Sequence, residues 1–402
     1  MSHDRAPDGS LRDWIKLGLA AGVEASGVGA VSRALRIWAT GARIHVLGYH
    51  RVVDRIDYDG AVNPSLCITS DAFRRQMEQL RDRFVVLPLS YVVRAVAGEI
   101  ALPHDAACVT FDDGYRDVLL RAHPILRQLG IPATVFVPTG FADAHGRARL
   151  LPHDRLYAAV WAAERSGRAL SDFADAETML LTVRAERALA AGGPAAVVEE
   201  LIRDAPAAAL ARLIERLEAA AGAPALDDGA EVLTPAEVRT LADGGWEIGA
   251  HTIGHVVLTH ESPAEARRQL ASSKADLERW SGRPCRYFAY CNGYHSPSLV
   301  AELRRAGYEG AVTTCDRPNA VAGGDPFRIT RKVLWEAHAR GPGGRFSPAL
   351  SAAHLHDLFG TLGFTKPVDG AVTGTENLSQ AQPDRPVEPH EPSQPTEVEL
   401  AY

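Results

Sequence analysis

The stretch Val109-Thr110-Phe111-Asp112-Asp113-Gly114 is the one around which the chain is organised. An apolar run ends abruptly in two adjacent carboxylates and a glycine. Thr110 and Phe111 favour a strand, whereas Asp and Gly disfavour one. The segment therefore reads as a buried strand that stops at the Asp pair, with Gly114 permitting a sharp turn. Successive strand side chains point to opposite faces. Both carboxylates can face one site only if the backbone turns there, and Gly114 allows that. Asp-Gly is also ordinary turn chemistry at strand ends. Taken alone, the stretch leaves a plain turn and a functional pair open.

Working outward, Ala133-Thr134-Val135-Phe136-Val137 reads as the next strand, and residues 115–129 between the two as a helix stopped by Gly130. Strand, helix, strand at this spacing implies a parallel sheet. Upstream, Ile44 to His50 is a strand ending in a polar His-Arg pair. Residues 71–84 have helical spacing with Ser70 or Asp71 as cap. Leu87 to Ile100 adds a shorter helical segment. Downstream the pattern breaks. Residues 143–232 are Ala-, Arg- and Glu-rich and helical through most of their length, at Leu156 to Ala163, Met179 to Leu189 and Val197 to Ala220. This is longer than any loop and reads as a helical insertion, a lid or flanking layer of modest burial. His153-Asp154 at its start reads as an exposed helix cap, with a functional pair as the lesser alternative.

The strand-helix order resumes at Thr234-Pro235-Ala236-Glu237, a capping box with Pro at the first helical position. Strands follow at Trp246 to Ala250, Arg286 to Tyr290, Gly310 to Thr314 and Phe327 to Leu334, with helices at Pro263 to Trp280 and 297–306. Leu350 to Leu362 is a last amphipathic helix. The domain organisation expected is an N-terminal helical segment over 1–42 and a first barrel part over 43–142. The insertion over 143–232, a second barrel part over 233–340 and a C-terminal helix over 341–365 follow. Residues 366–402 form a Pro- and Glu-rich tail that cannot bury a core and is expected to be disordered.

Composition bounds the function. With 46% apolar and 23% charged residues, the 402-residue chain fits a soluble globular class. Its net charge is −7, of which the tail supplies −5 (seven acids, two bases), so the body is nearly neutral and lacks the basic excess of a nucleic-acid binder. Five cysteines without a CxxC pair indicate buried thiols in a reducing compartment. The absence of a long apolar run and of a basic-then-apolar leader points to a cytoplasmic protein. Arg12, Lys16, Arg33 and Arg36 lie among apolar residues over 11–40, so a peripheral membrane contact is a minor alternative to a helix packed on its own protein.

Three strand ends carry polar groups: His50, Asp112 with Asp113, and His251 with His255. In parallel sheets and barrels these ends converge on one face. Two histidines and a carboxylate are a common catalytic zinc set with a position open for water. Asp113 is the natural third ligand, which leaves Asp112 beside the metal as a base. An isolated HxxxH is usually incidental, but each piece here sits at a strand end of one series.

These residues also carry a resemblance. The chain resembles the polysaccharide deacetylases, also called the NodB-homology or carbohydrate esterase family 4 group. Thr110-Phe111-Asp112-Asp113-Gly114 matches the first motif of that family and His251-Thr252-Ile253-Gly254-His255 the second. Arg286 to Gly293, with Phe288-Ala289-Tyr290-Cys291-Asn292-Gly293, looks like the F-A-Y-P-x-G form of the third. Leu47-Gly48-Tyr49-His50-Arg51-Val52 looks like the L-x-Y-H-x-V strand of the permuted subgroup, and residues 311–331, with Ala311 to Thr314 and Asp325 to Arg331, also read like that subgroup. The likeness covers about 43–142 and 233–335.

The resemblance implies an α/β fold, a distorted (β/α) barrel with a helical insertion, and metal-dependent N-deacetylation. By position, Asp113, His251 and His255 would hold a divalent metal, taken as zinc. Asp112 would be the general base and His50 the general acid, with Tyr290, Asn292 and Gly293 binding substrate. The implied substrate is an N-acetylated glycan, as in exopolysaccharide biosynthesis. A deformylase or amidase acting on a lipid-linked sugar, or an inactive glycan-binding module, are the alternatives. Two departures stand out. Ala289 occupies the place where many members carry an arginine that orients the base, and Cys291 replaces the proline, read as a neutral exchange.

Overall fold

The polar strand ends face a common site only if the strands lie in one parallel sheet and end at one level. The structure, a computed structural model, describes residues 11–26, 37, 39, 41–142, 148–222, 226 and 229–363. The break expected at Gly27–Gly29 and the disorder expected over 1–10 and 366–402 lie outside the described residues.

In chain order, helix α1 (Leu11–Ser26) precedes strand β1 (Arg43–Tyr49), and β2 (Arg51–Val53) and β3 (Cys67–Thr69) form a small parallel ladder. Then come α2 (Ser70–Arg83), β4 (Val85–Val86), α3 (Leu89–Val96), β5 (Ala106–Phe111), α4 (His123–Leu129) and β6 (Ala133–Val137). The insertion holds α5 (Pro152–Ser166), α6 (Met179–Asp204) and α7 (Ala207–Ala221). The series continues with α8 (Pro235–Asp243), β7 (Glu247–Ala250), α9 (Pro263–Ser281), β8 (Tyr287–Ala289), α10 (Pro297–Arg305), β9 (Gly310–Val312), β10 (Asn319–Ala320) and β11 (Lys332–Val333). Helices α11 (Pro348–Leu355) and α12 (Leu358–Thr361) end it.

Local chemistry explains most of these boundaries. Thr234 caps α8 in the expected capping box with Glu237. At α2 the cap is Thr69, whose Oγ1 accepts from the Ala72 N–H, rather than Ser70 or Asp71. The Ser70 hydroxyl is turned away to Val53 O and Asp54. The helix expected over 115–129 begins with a wide turn at Val118–Ala122 before α4. The last amphipathic helix is broken at Asp357, which takes φ +54°.

The main sheet runs β10-β1-β5-β6-β7-β8-β9, with β4 also paired to β5 and β11 to β1. All of these pairs are parallel except β1 with β10. The sheet curls back on itself through the segment 329–334. Ile329 bridges to Val312 of β9, and the Thr313 and Cys315 N–H groups donate to Ile329 and Arg331 carbonyls. On its other side the same segment pairs Lys332 with Leu47, and Leu334 N–H donates to Gly48 O. The expected distorted barrel is thus a curled parallel sheet whose return to β1 is thin. The strand expected over Phe327 to Leu334 is regular only at β11.

Side-chain alternation divides the core in two. Ile44, Val46, Cys108, Phe136, Ala289, Val312 and Ile329 form the cluster inside the curl, into which α3 packs Leu89, Val92 and Val96. Leu47, Tyr49, Val109, Phe111, Val135 and Val137 face outward into the larger cluster beneath the helices. Both faces are buried, as a parallel sheet requires. The inner space is tight. A Cβ on Gly249 would lie 2.4 Å from the Phe136 ring. The insertion has a core of its own, with Leu156, Val160, Leu170, Phe173, Leu181, Leu213 and Leu217 packed together. Its middle helix α6 is kinked at Gly192 and Gly193, just before Pro194.

Gly249→Ala is expected to destabilise the fold by about 1–3 kcal/mol, the usual cost of overpacking. A lowered denaturation midpoint is the readout. An unchanged midpoint would mean that Phe136 has room to move.

Candidate active site

The sheet register sets the site. Tyr49 pairs with Phe111, Val137 with Ala250, and Ala289 with Val312, so the strands end at one level. The next residues, His50, Asp112, His251 and Tyr290, surround the mouth of the curl. Asp112 continues the inward alternation of Cys108 and Thr110, and its N–H donates to Tyr49 O at 2.9 Å. Asp113 would point outward in a continuing strand. It takes φ +67° instead, and Gly114 takes φ +59°, so the chain turns at Asp113 itself as well as at the glycine. A Cβ on Gly114 would stand 2.9 Å from Val137 Cγ1. The glycine is needed for close packing as well as for the bend.

Asp112 is held by a residue to which the sequence reading assigned no role. Arg331, fully buried, donates from both terminal nitrogens to the two Asp112 oxygens at 2.7 and 2.6 Å. The guanidinium also bonds Thr110 Oγ1 and Thr313 O, and it lies over the Phe136 ring. Burial alone would raise the Asp112 pKa, but the Arg331 charge and its hydrogen bonds hold it below the usual carboxylate range. The place of the arginine missing at Ala289 is thus taken from another strand. Its place two residues after Ile329 in an expected strand was the sole local sign, and it names no partner.

Asp113 is buried at the centre of four imidazoles. Its Oδ1 lies 3.0 Å from His255 Nε2 and 3.4 Å from His251 Nε2. Its Oδ2 lies 3.5 Å from His153 Nε2 and 4.0 Å from His50 Nε2. Burial would raise the Asp113 pKa, but the imidazoles of His255 and His251 hold it well below the usual range. His251 Nδ1 is 2.8 Å from Ala289 O. A carbonyl only accepts, so Nδ1 carries a hydrogen and Nε2 is the nitrogen turned toward Asp113.

This arrangement fits a divalent cation. Asp113 Oδ1 is buried without a hydrogen-bond partner although two imidazole nitrogens face it. Oxygen and nitrogen donors at chords of 3.0–3.4 Å suit one ion held at about 2.0–2.2 Å. Among the described residues, Asp113, His153 and His255 also have ligand atoms within 4.8 Å of one another, as do His251, His255 and Cys291. The Cys291 sulfur is 3.9 Å from His251 Nδ1, on the side of the ring away from Asp113.

These residues line a cavity of about 390 Å³. His50, Asp112, Asp113, His251, His255, Tyr290 and Asn292 all contribute, and Val198, Glu199, Ile202 and Arg203 of α6 complete the wall. Gly293 is not among the lining residues. It takes φ +75°, and its N–H closes the loop onto Tyr290 O. The Tyr290 hydroxyl is used to bond Phe327 O. His153 and Asp154 are buried, at 7% and 4% exposure, and not the exposed cap expected from sequence. A His-Asp pair in the first turn of a helix gives no sign of what folds over it. Burial pushes the His153 pKa down to about 3, so this imidazole is neutral.

Comparison with known proteins matches the family model described as polysaccharide deacetylase to residues 100–311, just over half of the 402-residue chain. His50 and Arg331 lie outside that span. No curated protein matches the chain. Among solved structures, the deacetylase PplD of Streptococcus pyogenes, in complex with acetate, is 17% identical over 75% of this chain and 96% of its own, with a TM-score of 0.48. IcaB from Ammonifex degensii is 20% identical over 79% of this chain and 98% of its own, with a TM-score of 0.46.

Arg331→Met should leave Asp112 buried without its counter-charge, a loss of about 3–5 kcal/mol. A depressed carboxylate pKa contributes stability above the unfolded value that is lost as pH falls through the folded value. Without Arg331 the Asp112 pKa rises, and the acid limb of the activity profile moves to higher pH. Arg331→Lys should recover only part, since a point charge cannot make the paired contact. Unchanged stability and pH profile in Arg331→Met would contradict this role.

Proposed function

The chain belongs to the polysaccharide deacetylase family, hydrolases of carbon–nitrogen bonds other than peptide bonds, and from that premise we propose that it removes N-acetyl groups from an amino-sugar glycan with a divalent metal as cofactor. The observation that carries this reading is the buried, unpartnered Asp113 Oδ1 set against His251 and His255, with Asp112 clamped beside it. Asp113, His251 and His255 would hold the ion, and we take it to be zinc, since two imidazoles and one carboxylate suit that metal. Such an ion supplies Lewis-acid polarisation and a more acidic water.

The protein's own groups do the rest. Asp112, kept ionised by Arg331, takes the proton of the attacking water. His50, partly open to the cavity, returns a proton to the departing amine. The oxyanion falls to backbone donors of the 290–294 loop. The N–H groups of Tyr290, Gly293 and Tyr294 are engaged with Val312, Tyr290 and Cys291 carbonyls, which assigns that role to Cys291 or Asn292. Water attacks directly, so no nucleophilic side chain is required. The wall from α6 makes the insertion the selector of what enters.

A second reading concerns where the substrate sits. α1 packs Leu17 and Ala20 against α11 and α12, yet Trp14, Ile15 and Leu19 are exposed. That face suits a membrane surface and a lipid-linked sugar, with deformylation or deacetylation by the same chemistry. The buried free cysteines support a reducing, cytoplasmic setting. No helix among the described residues is long and apolar enough to cross a membrane.

Acetate release from a panel of N-acetylated glycans and lipid-linked sugars, with and without chelator, tests the reading. Chelation should abolish release and added metal restore it. Asp113→Ala should lose both metal and activity, whereas Asp112→Asn should keep metal and lose turnover. His50→Ala should lower kcat by about 10²–10⁴-fold, the range for a lost general acid. Turnover that persists in Asp112→Asn, or kcat unchanged across pH in His50→Ala, removes that residue from the mechanism.

A further inference from the structure

The first turn of α5 carries a buried polar chain that the reaction above does not use. His153 Nε2 lies 2.7 Å from the Tyr115 hydroxyl, and that hydroxyl donates to Asp154 Oδ2 at 2.9 Å. All three side chains are buried. The chain is built where the insertion leaves and rejoins the sheet. Leu233 N–H donates to Gly114 O, Tyr115 bridges Val232, and Val232 N–H donates to Arg149 O. Both ends of the insertion are therefore pinned beside the Asp112-Asp113 turn.

The proton count allows the chain two polarities. A phenol has one proton. When Tyr115 gives it to Asp154, the imidazole nitrogen facing the phenol oxygen must carry its own hydrogen. The reverse polarity would require a proton on Asp154 and would turn the His153 lone pair toward Asp113 Oδ2, 3.5 Å away. Either way Nε2 is tied to Tyr115 and is not free as a ligand. The two oxygens of Asp113 are thus distinguished: Oδ1 faces His255 and His251 without a hydrogen bond, and Oδ2 faces His153. The His153 ring also packs on His255, with centroids 5.1 Å apart.

We infer that His153 is a positioning residue for Asp113, and that the Asp154–Tyr115–His153 chain ties the helical insertion into the metal centre. The inference rests on the reading of Asp113 as a metal ligand. It gives the insertion a second task besides walling the cavity. Its first turn fixes which carboxylate oxygen is presented to the ion, as outer-shell partners of metal ligands commonly do.

Metal affinity of the full chain, measured by competition with a chromophoric chelator, provides the test, together with the absorption spectrum of the Co2+-loaded protein. His153→Phe should weaken binding by about 10–100-fold, the usual effect of losing an outer-shell partner. His153→Gln, whose amide can present an N–H to Oδ2, should restore most of the affinity with an unaltered Co2+ spectrum. Tyr115→Phe cuts the link to Asp154 without touching Asp113 and should give a smaller loss. It also serves as the deciding variant should His153→Phe fail to fold. Wild-type affinity in His153→Phe or, failing that, in Tyr115→Phe overturns the inference while leaving Asp113 as a ligand. A shifted Co2+ spectrum in His153→Gln overturns it in favour of direct ligation. Metal binding that survives Asp113→Ala overturns the underlying reading and this inference with it.

Discussion

The buried pairing of Arg331 with Asp112 is the interaction on which the rest of the site depends. A carboxylate and a guanidinium so deeply buried persist only if each satisfies the other. The two-point contact does this and fixes the plane of the carboxylate. It also joins the end of β5 to the segment that returns the curled sheet to β1. That return is thin in backbone pairing, so a side-chain ion pair across it binds the two edges where the site is built. One contact thereby serves both the shape of the sheet and the ionisation of Asp112.

The neighbouring carboxylate is separated from its partner by backbone geometry. Strand alternation sends Asp112 inward to Arg331. A left-handed turn at Asp113 and Gly114 swings the second carboxylate back toward the imidazoles. Two adjacent acids would repel each other if they shared one environment. Here one is matched to a fixed cation and the other to a ring of imidazoles. The backing of His251 by a backbone carbonyl serves the same purpose, since it turns Nε2 toward Asp113.

The insertion shows how an element with its own core becomes part of a site. Its helices pack on one another, so its fold does not depend on the cavity. Its two ends emerge beside the Asp pair, and that proximity places both His153 and α6 at the cavity wall. Ala-rich helices were expected to bury modest area. They bury a connected cluster of leucine, valine and phenylalanine side chains instead, which gives the wall something firm to stand on.

Much of this was legible in the residues alone. Periodicity marked the strands and helices, with boundaries missed where a side chain had a better partner elsewhere, as at Ser70. The strand-end placement of His50, Asp112, Asp113, His251 and His255 was readable because parallel strands bring consecutive C-terminal ends to one face. What the sequence could not reveal were contacts between residues far apart in the chain. Arg331 meets Asp112 across 219 positions, and His153 meets Tyr115 across 38. Nothing local distinguishes a buried arginine in a late strand, or a histidine in a first helical turn, from a solvated one. The sequence by itself determined the alternation of strands and helices and the set of groups at the strand ends, because those follow from local periodicity and turn chemistry. Only the tertiary structure decided which cation holds Asp112 and which imidazoles surround Asp113, because both are set by how the sheet curls and where the insertion returns to it.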